Sequence, residues 1–166
     1  MLVDLRSEQE PLRRQALDRF VDAYWKPVYK YIRLRWRKDP PDAEDLTQNF
    51  FKTLLEQGFL ARFDAEKASF RTFLRVSVDR NVLQQHESDT RLKRGGGAVV
   101  LSLDFPSAEQ ELPLTSSEGS PEDIFYREWQ RQIFALALGD LRRWCQESGR
   151  QVQFEIFEAY DLVAEE

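Results

Sequence analysis

The decapeptide DAEDLTQNFF, residues 42–51, decides how the chain is read. Its apolar positions Leu46, Phe50 and Phe51 continue to Leu54 and Leu55, returning every three or four residues as one helix face does. Asp42 can cap the first turn, and Glu44 and Asp45 put negative charge at the positive end of the helix dipole. Gly58 stops the run. Acids at a helix start have a complete structural explanation, so Asp42, Glu44 and Asp45 are not read as metal ligands or an acid–base pair.

The same period extends in both directions. Upstream, Leu12, Ala16, Phe20 and Tyr24 fall four apart, and Val21, Trp25, Val28, Ile32 and Trp36 continue the stripe. Pro27 either kinks this helix or opens a second one. Asp39-Pro40-Pro41 ends it. Downstream, a short connection from Phe59 to Lys67 carries Phe63 and Asp64. Ser69 then caps a helix that buries Phe70, Phe73, Leu74, Val78 and Val82 and runs to about His86. From Arg91 to Ser120 the glycines 95–97, Pro106, Pro113 and a Ser/Thr/Glu run read as a linker, with one short extended piece at Val99–Leu101. Ser120-Pro121-Glu122-Asp123 is a strong helix start, and apolar positions recur from Ile124 to Trp144. Gly149 breaks that helix, and Val152 to Tyr160 form a last one. The prediction is an all-α chain: a helical domain at 1–90, a linker at 91–120, and two helices at 121–166.

Composition narrows the function. The 166 residues are 42% hydrophobic and 32% charged, enough for a real core under a wet surface. The single cysteine, Cys145, excludes an intrachain disulfide and a thiolate zinc site. No apolar run approaches the ~18 residues of a membrane span, and the start MLVDLRSEQE is unlike a signal peptide, so a cytoplasmic protein with no membrane partner is expected. Gly95–Gly97 lacks the Lys-Ser/Thr ending of a phosphate-binding loop, and no catalytic, metal or cofactor residues are assigned. The net charge of −5 is unevenly spread. Through Gly97 there are 19 Lys and Arg against 15 Asp and Glu; beyond it, 5 against 14. The first part can approach a polyanion while the second faces away or contacts something basic, or both are solvated helix faces.

The stretch ASFRTFLRVSVDRN, residues 68–81, bears most directly on binding. Arg71 and Arg75 share a helix face, Arg62 and Lys67 lie upstream, and Arg80 extends the basic edge. Cations interleaved with Phe70 and Phe73 suit an opened DNA strand, because cations follow phosphates and rings receive unstacked bases. The same spacing equally suits an ordinary amphipathic helix. Asp79 would either oppose phosphate or pair with Arg75.

Four ordered blocks then resemble region two of bacterial sigma factors of the extracytoplasmic-function class. Asp42–Phe51 is similar to the class's DAEDLTQ helix, and Phe70-Arg71-Thr72-Phe73-Leu74 to its FRTWL/FRTFL signature. Tyr24–Tyr29 resembles the start of the same region. Lys93–Gly97 with Leu101-Ser102-Leu103-Asp104 looks like the linker of a planctomycete-type branch. The resemblance implies a transcription initiation factor without covalent chemistry of its own. Asp45, Gln48 and Asn49 would dock on the clamp helices of the largest subunit of the RNA polymerase core, with Leu46 and Phe50 in the core of the fold. Lys67, Ser69, Arg71, Thr72, Arg75 and Arg80 would hold the single-stranded non-template strand of the promoter minus-ten element. A flipped base would sit beside Phe63, Asp64 and Phe70. An anti-sigma factor is a further partner class that the resemblance implies.

The chain departs from the pattern twice. Its Arg-Asn pair, Arg80-Asn81, stands one place later than the class's, and no helix-turn-helix precedes Glu166, so truncation ahead of that motif is expected. A second reading, a polymerase-docking regulator that does not read promoters, rests on that missing motif and on Asp79.

Overall fold

The computed structural model describes residues 10–56, 62–89, 101–112 and 119–162. Among them the structure is all-α, with no strand. The helices are α1 (Glu10–Arg35), α2 (Pro40–Glu56), α3 (Phe70–Asp89), α4 (Phe105–Gln110), α5 (Pro121–Glu147) and α6 (Gln151–Phe157); α6 runs on into a π-helical turn, Glu158–Leu162. Gly58, Val99, Val100, the glycines 95–97 and Pro113, all used in reading the sequence, lie outside the described residues, as does the side chain of His86.

α1 is a single helix with Pro27 inside it. A proline there costs about 3 kcal/mol. Its neighbours Phe20, Tyr24, Val28, Tyr31 and Ile32 are all buried, and each large apolar side chain contributes roughly 1.5–3 kcal/mol, so packing overrides the break. Between α1 and α2, Arg37 takes a positive φ of 50° where the chain reverses. The prolines after Asp39 open α2 rather than merely closing α1. Asp39, not Asp42, is the cap: its Oδ1 accepts the Asp42 N–H at 3.0 Å and its carbonyl the Ala43 N–H at 3.0 Å. Pro40 at the first helical position loses no hydrogen bond, since that amide would be unpaired anyway.

α1, α2 and α3 share an aromatic core. Phe20 meets Phe51 of α2 edge-on at 6.3 Å and Phe70 of α3 at 5.8 Å, and Tyr24 also stands 5.8 Å from Phe70. Ala43, Leu46, Phe50 and Leu54 line the inner face of α2, and Leu74, Val78 and Val82 that of α3, all buried.

The predicted linker contains α4. Asp104 Oδ1 caps it by accepting the Ser107 N–H at 3.2 Å, and Pro106 sits in its first turn. Pro106 thus starts a helix rather than marking a loop. Phe105 is buried between Trp25 and Tyr29 of α1, with ring centroids 5.6 and 5.1 Å apart. Acids then fasten this segment to the basic residues of α1. Glu109 accepts from Arg33 and from the Tyr29 hydroxyl at 2.7 Å. Glu111 bridges Lys26 at 2.8 Å and Lys30 at 2.9 Å. Lys30, almost fully buried, also meets the buried Glu128 at 2.7 Å.

The chain divides into two compact units, residues 1–129 and 130–166. The boundary falls within α5, so α4 and the first turns of α5 group with α1–α3, whereas the sequence suggested divisions at 90 and 120. Ser120 caps α5 as expected: its Oγ accepts the Asp123 N–H at 3.2 Å, and Asp123 Oδ2 accepts the Ser120 N–H at 3.0 Å. In the second unit α5 ends at Gly149, whose φ of +68° lets the Arg150 N–H reach the Cys145 carbonyl at 2.7 Å. Cys145 and Phe154 are buried there, and Arg142 pairs with Glu158.

Candidate polymerase and nucleic-acid interface

On α2 the residues expected to meet polymerase fall on the outer face. Ala43, Leu46, Thr47 and Phe50 are buried; Asp45 is exposed, and Gln48 and Asn49 are half-exposed. Steps of three and four place these three side chains together on the helix surface. Thr47 satisfies its buried hydroxyl by donating to the Ala43 carbonyl at 2.7 Å, so it belongs to the core rather than to the outer face.

The turn before α3 is locally tied. Asp64 Oδ1 accepts the Glu66 N–H at 3.0 Å, and Lys67 Nζ lies 2.8 Å from its Oδ2. The Lys67 bond, followed by the Glu66 amide, holds the Asp64 carboxyl below the usual carboxylate range. Phe63 packs on Phe70 and Phe73, with ring centroids 5.1 and 5.4 Å away. The three residues expected to form a base pocket are therefore two packed rings and a carboxylate engaged by its own turn. Ser69 caps α3: its Oγ accepts the Thr72 N–H at 3.3 Å and lies 3.0 Å from the Thr72 hydroxyl.

α3 splits the basic residues between two flanks. Phe70, Leu74, Val78 and Val82 form its buried stripe. Arg71 and Arg75 lie on one side of it, while Arg80, nine residues beyond Arg71, is about 180° round the helix. The structure thus corrects the expectation that Arg80 extends the edge begun by Arg71. The Arg71 guanidinium stands over two rings of α5, 4.1 Å from the centroid of Trp129 and 5.1 Å from that of Tyr126. Arg75 is half-exposed and Arg80 exposed, and neither pairs with a carboxylate among the described residues. Lys67 is 82% exposed, free to turn outward despite its contact with Asp64.

Asp79 does not pair with Arg75; it faces α1. Its Oδ1 accepts from the Trp36 indole at 2.9 Å and its Oδ2 from the Tyr31 hydroxyl at 3.1 Å. It joins α3 to the end of α1. Burial, and then the Asp79 charge, push the Tyr31 hydroxyl well above the usual phenol range.

Arg80 shares its flank with a cavity of about 210 Å³ between α2 and α3. Phe50 and Leu54 of α2 and Phe73 of α3 supply apolar walls, and Arg62, Arg80, Asn81 and Gln84 bring polar groups. Asn81 Oδ1 is buried without a hydrogen-bond partner. Phe63, Asp64 and Phe70 do not line this cavity. Its one signal in the sequence is an amide, Asn81, beside the apolar positions Val78 and Val82. The cover of Trp129 and Tyr126 over Arg71 left no signal at all, because those rings come from almost sixty residues away.

Residues 20–92 match the family model Sigma-70 region 2. Comparison with curated proteins and with solved structures gave no match. The matched span holds most of α1, all of α2 and α3, and the turn between them, and the all-α arrangement of these helices agrees with it. This part of the chain is similar to the region of sigma-70 factors that the DAEDLTQ and FRTFL motifs suggested. α4, α5 and α6 lie beyond the match. Among the described residues no helix is long and apolar enough to cross a membrane.

Proposed function

We propose that this chain is a transcription initiation factor of the extracytoplasmic-function class. It docks on the clamp helices of core RNA polymerase through Asp45, Gln48 and Asn49. It then holds the opened non-template strand of the minus-ten element against α3 and the turn before it. The observation that carries this reading is the Sigma-70 region 2 match over the helices that expose both surfaces. Lys67, Arg75 and Arg80 supply phosphate contacts, and Ser69 and Thr72 present hydroxyls at the helix start. Arg71 joins them once its guanidinium leaves Trp129 and Tyr126. Arg71 and Trp129 are both half-buried, and a cation–π contact there is worth about 0.5–2 kcal/mol, which a charge-assisted phosphate contact can replace.

The alternative, a regulator that captures polymerase without reading DNA, draws support from the covered Arg71. It loses the support that Asp79 lent it, because that carboxylate is turned toward α1.

A labelled forked minus-ten template, titrated with and without core polymerase over a range of salt, separates the two. With polymerase present, the wild-type chain should tighten template binding. Asp45→Arg should abolish that gain with an unchanged helical circular dichroism spectrum. Arg75→Ala with Arg80→Ala should keep polymerase capture and reduce the salt slope by about 0.7 log units per lost phosphate contact. Polymerase capture without any template effect would instead establish the regulator.

A further inference from the structure

The first turns of α5 lie against the edge of α3 that carries Arg71 and Arg75. Trp129 stacks on Tyr24 of α1 with ring centroids 6.5 Å apart, and Tyr126 stands 5.8 Å from Trp129. The Arg71 guanidinium rests on both α5 rings, at 4.1 and 5.1 Å. A guanidinium held by ring faces is withheld from phosphate for as long as it stays there. Acids accompany the rings. Glu122 and Asp123 occupy the first turn of α5, and Arg127 offsets part of the Asp123 charge. After burial and the bonded Asp79, Glu122 raises the pKa of the Tyr31 hydroxyl and Arg75 lowers it, so that carboxylate and that guanidinium act at one place. The segment is also anchored. Phe125 is buried edge-on against Tyr31 at 5.9 Å, and Glu128 pairs with Lys30 at 2.7 Å. All of these α5 groups lie beyond residue 92, outside the matched region.

We propose that the first turns of α5 form an intramolecular cover that competes with the DNA strand for the Arg71 edge of α3. The proposal rests on the strand-holding role above and adds its regulation. In the closed state Trp129 and Tyr126 occupy Arg71, and Glu122 and Asp123 repel an approaching phosphate backbone. Lys67, 82% exposed, and Arg80, on the opposite flank of α3, stay outside the cover, so the closed chain keeps a weak grip on a polyanion. Cover and strand exclude each other at Arg71. Whatever loosens the cover therefore strengthens strand binding, and by the same linkage a bound strand loosens the cover.

The test titrates a labelled single-stranded thymine tract with the full chain, without polymerase, over a range of salt. Trp129→Ala should tighten binding by about two- to thirtyfold, the span that one cation–π contact allows. It should also steepen the salt slope by about 0.7 log units, for one added phosphate contact. Trp129→Phe keeps a ring beneath Arg71 and should bind as the wild type does. Tyr126→Ala removes a ring that is 44% exposed, so it should leave the helical circular dichroism unchanged and tighten binding less. It decides the matter if Trp129→Ala fails to fold. In an Arg71→Ala background neither truncation should alter binding. Weaker binding by the truncated chains would mean that the rings themselves hold the strand, and unchanged binding that nothing competes for Arg71. A gain that persists without Arg71 would place its source elsewhere. Each of these three results overturns the cover. The forked template with core polymerase is read alongside: if the wild-type chain fails to engage it, the initiation reading falls and takes the cover with it. Engagement there, with no gain from loosening α5, overturns the cover alone.

Discussion

The cations of α1 and of α3 meet opposite fates. Lys26, Lys30 and Arg33 each face a carboxylate from residues 109–128, and the Lys30–Glu128 pair is almost wholly out of solvent. On α3, Arg75 and Arg80 pair with no carboxylate among the described residues, and Arg71 leans on rings instead. Part of the charge asymmetry seen along the sequence is therefore internal: the acidic segment neutralises one basic helix and leaves the other open. Charge matched within the chain fixes structure, whereas charge left over is available to an outside polyanion. Mutations on the two helices should separate along this line.

The largest effect is expected at the buried pair. Lys30→Met removes the cation that lies 2.7 Å from Glu128 and 2.9 Å from Glu111. Breaking a buried pair by removing one partner costs about 3–5 kcal/mol, and the lower end applies because Glu111 keeps Lys26. Urea denaturation should show this loss, and adding Glu128→Leu should recover most of it. A single variant as stable as wild type would mean that the Lys30–Glu128 pair adds nothing net to the fold of the first unit.

The contrast also marks what the sequence could reveal. α1, α2 and α3 were legible because each repeats an apolar face over many residues, and the cap Ser69 announces α3 locally. The outer face of α2 was legible for the same reason: once Leu46 and Phe50 point inward, Asp45, Gln48 and Asn49 must share the other side. α4 was missed because a six-residue helix shows barely more than one period, and Pro106 reads as a breaker unless Asp104 is recognised as its cap. The role of Asp79 depended on two donors, Trp36 and Tyr31, more than forty residues away, and no spacing rule connects them. Arg80 is a different case. Helical geometry alone puts it opposite Arg71, nine residues on and about 180° round the helix.

A smaller effect, and one that sharpens the comparison, is expected at Asp79. As the acceptor for Trp36 and Tyr31 it belongs with the structural charges although it lies on α3. Asp79→Ala leaves two part-buried donors without their partner, at about 2 kcal/mol of stability in a thermal or urea melt. The salt slope of template binding should not change. If the carboxylate instead opposed the phosphates, its loss would tighten template binding and leave stability alone, and α3 would carry a brake on its own DNA contacts.

The smallest effect is a pH dependence confined to the matched side. Burial alone would raise the Glu111 carboxyl, but the bonds from Lys26 and then Lys30 outweigh it and bring it down to about 2. Glu109 is held below its ordinary value by its bond from Arg33, against the opposing effect of burial. A carboxylate depressed by folding adds stability that is fully present above its unfolded value near 4.5 and is lost as the pH falls toward the folded one. The contribution of Glu111 should therefore be intact at neutral pH and disappear between about pH 4.5 and 2. Melts across that window should show the wild-type chain losing stability faster than Glu111→Gln, with the two curves converging at the acid end. Parallel curves would mean that Glu111 holds its lysines no more tightly folded than unfolded, and the match between the acidic segment and α1 would then rest on Glu109 and Glu128.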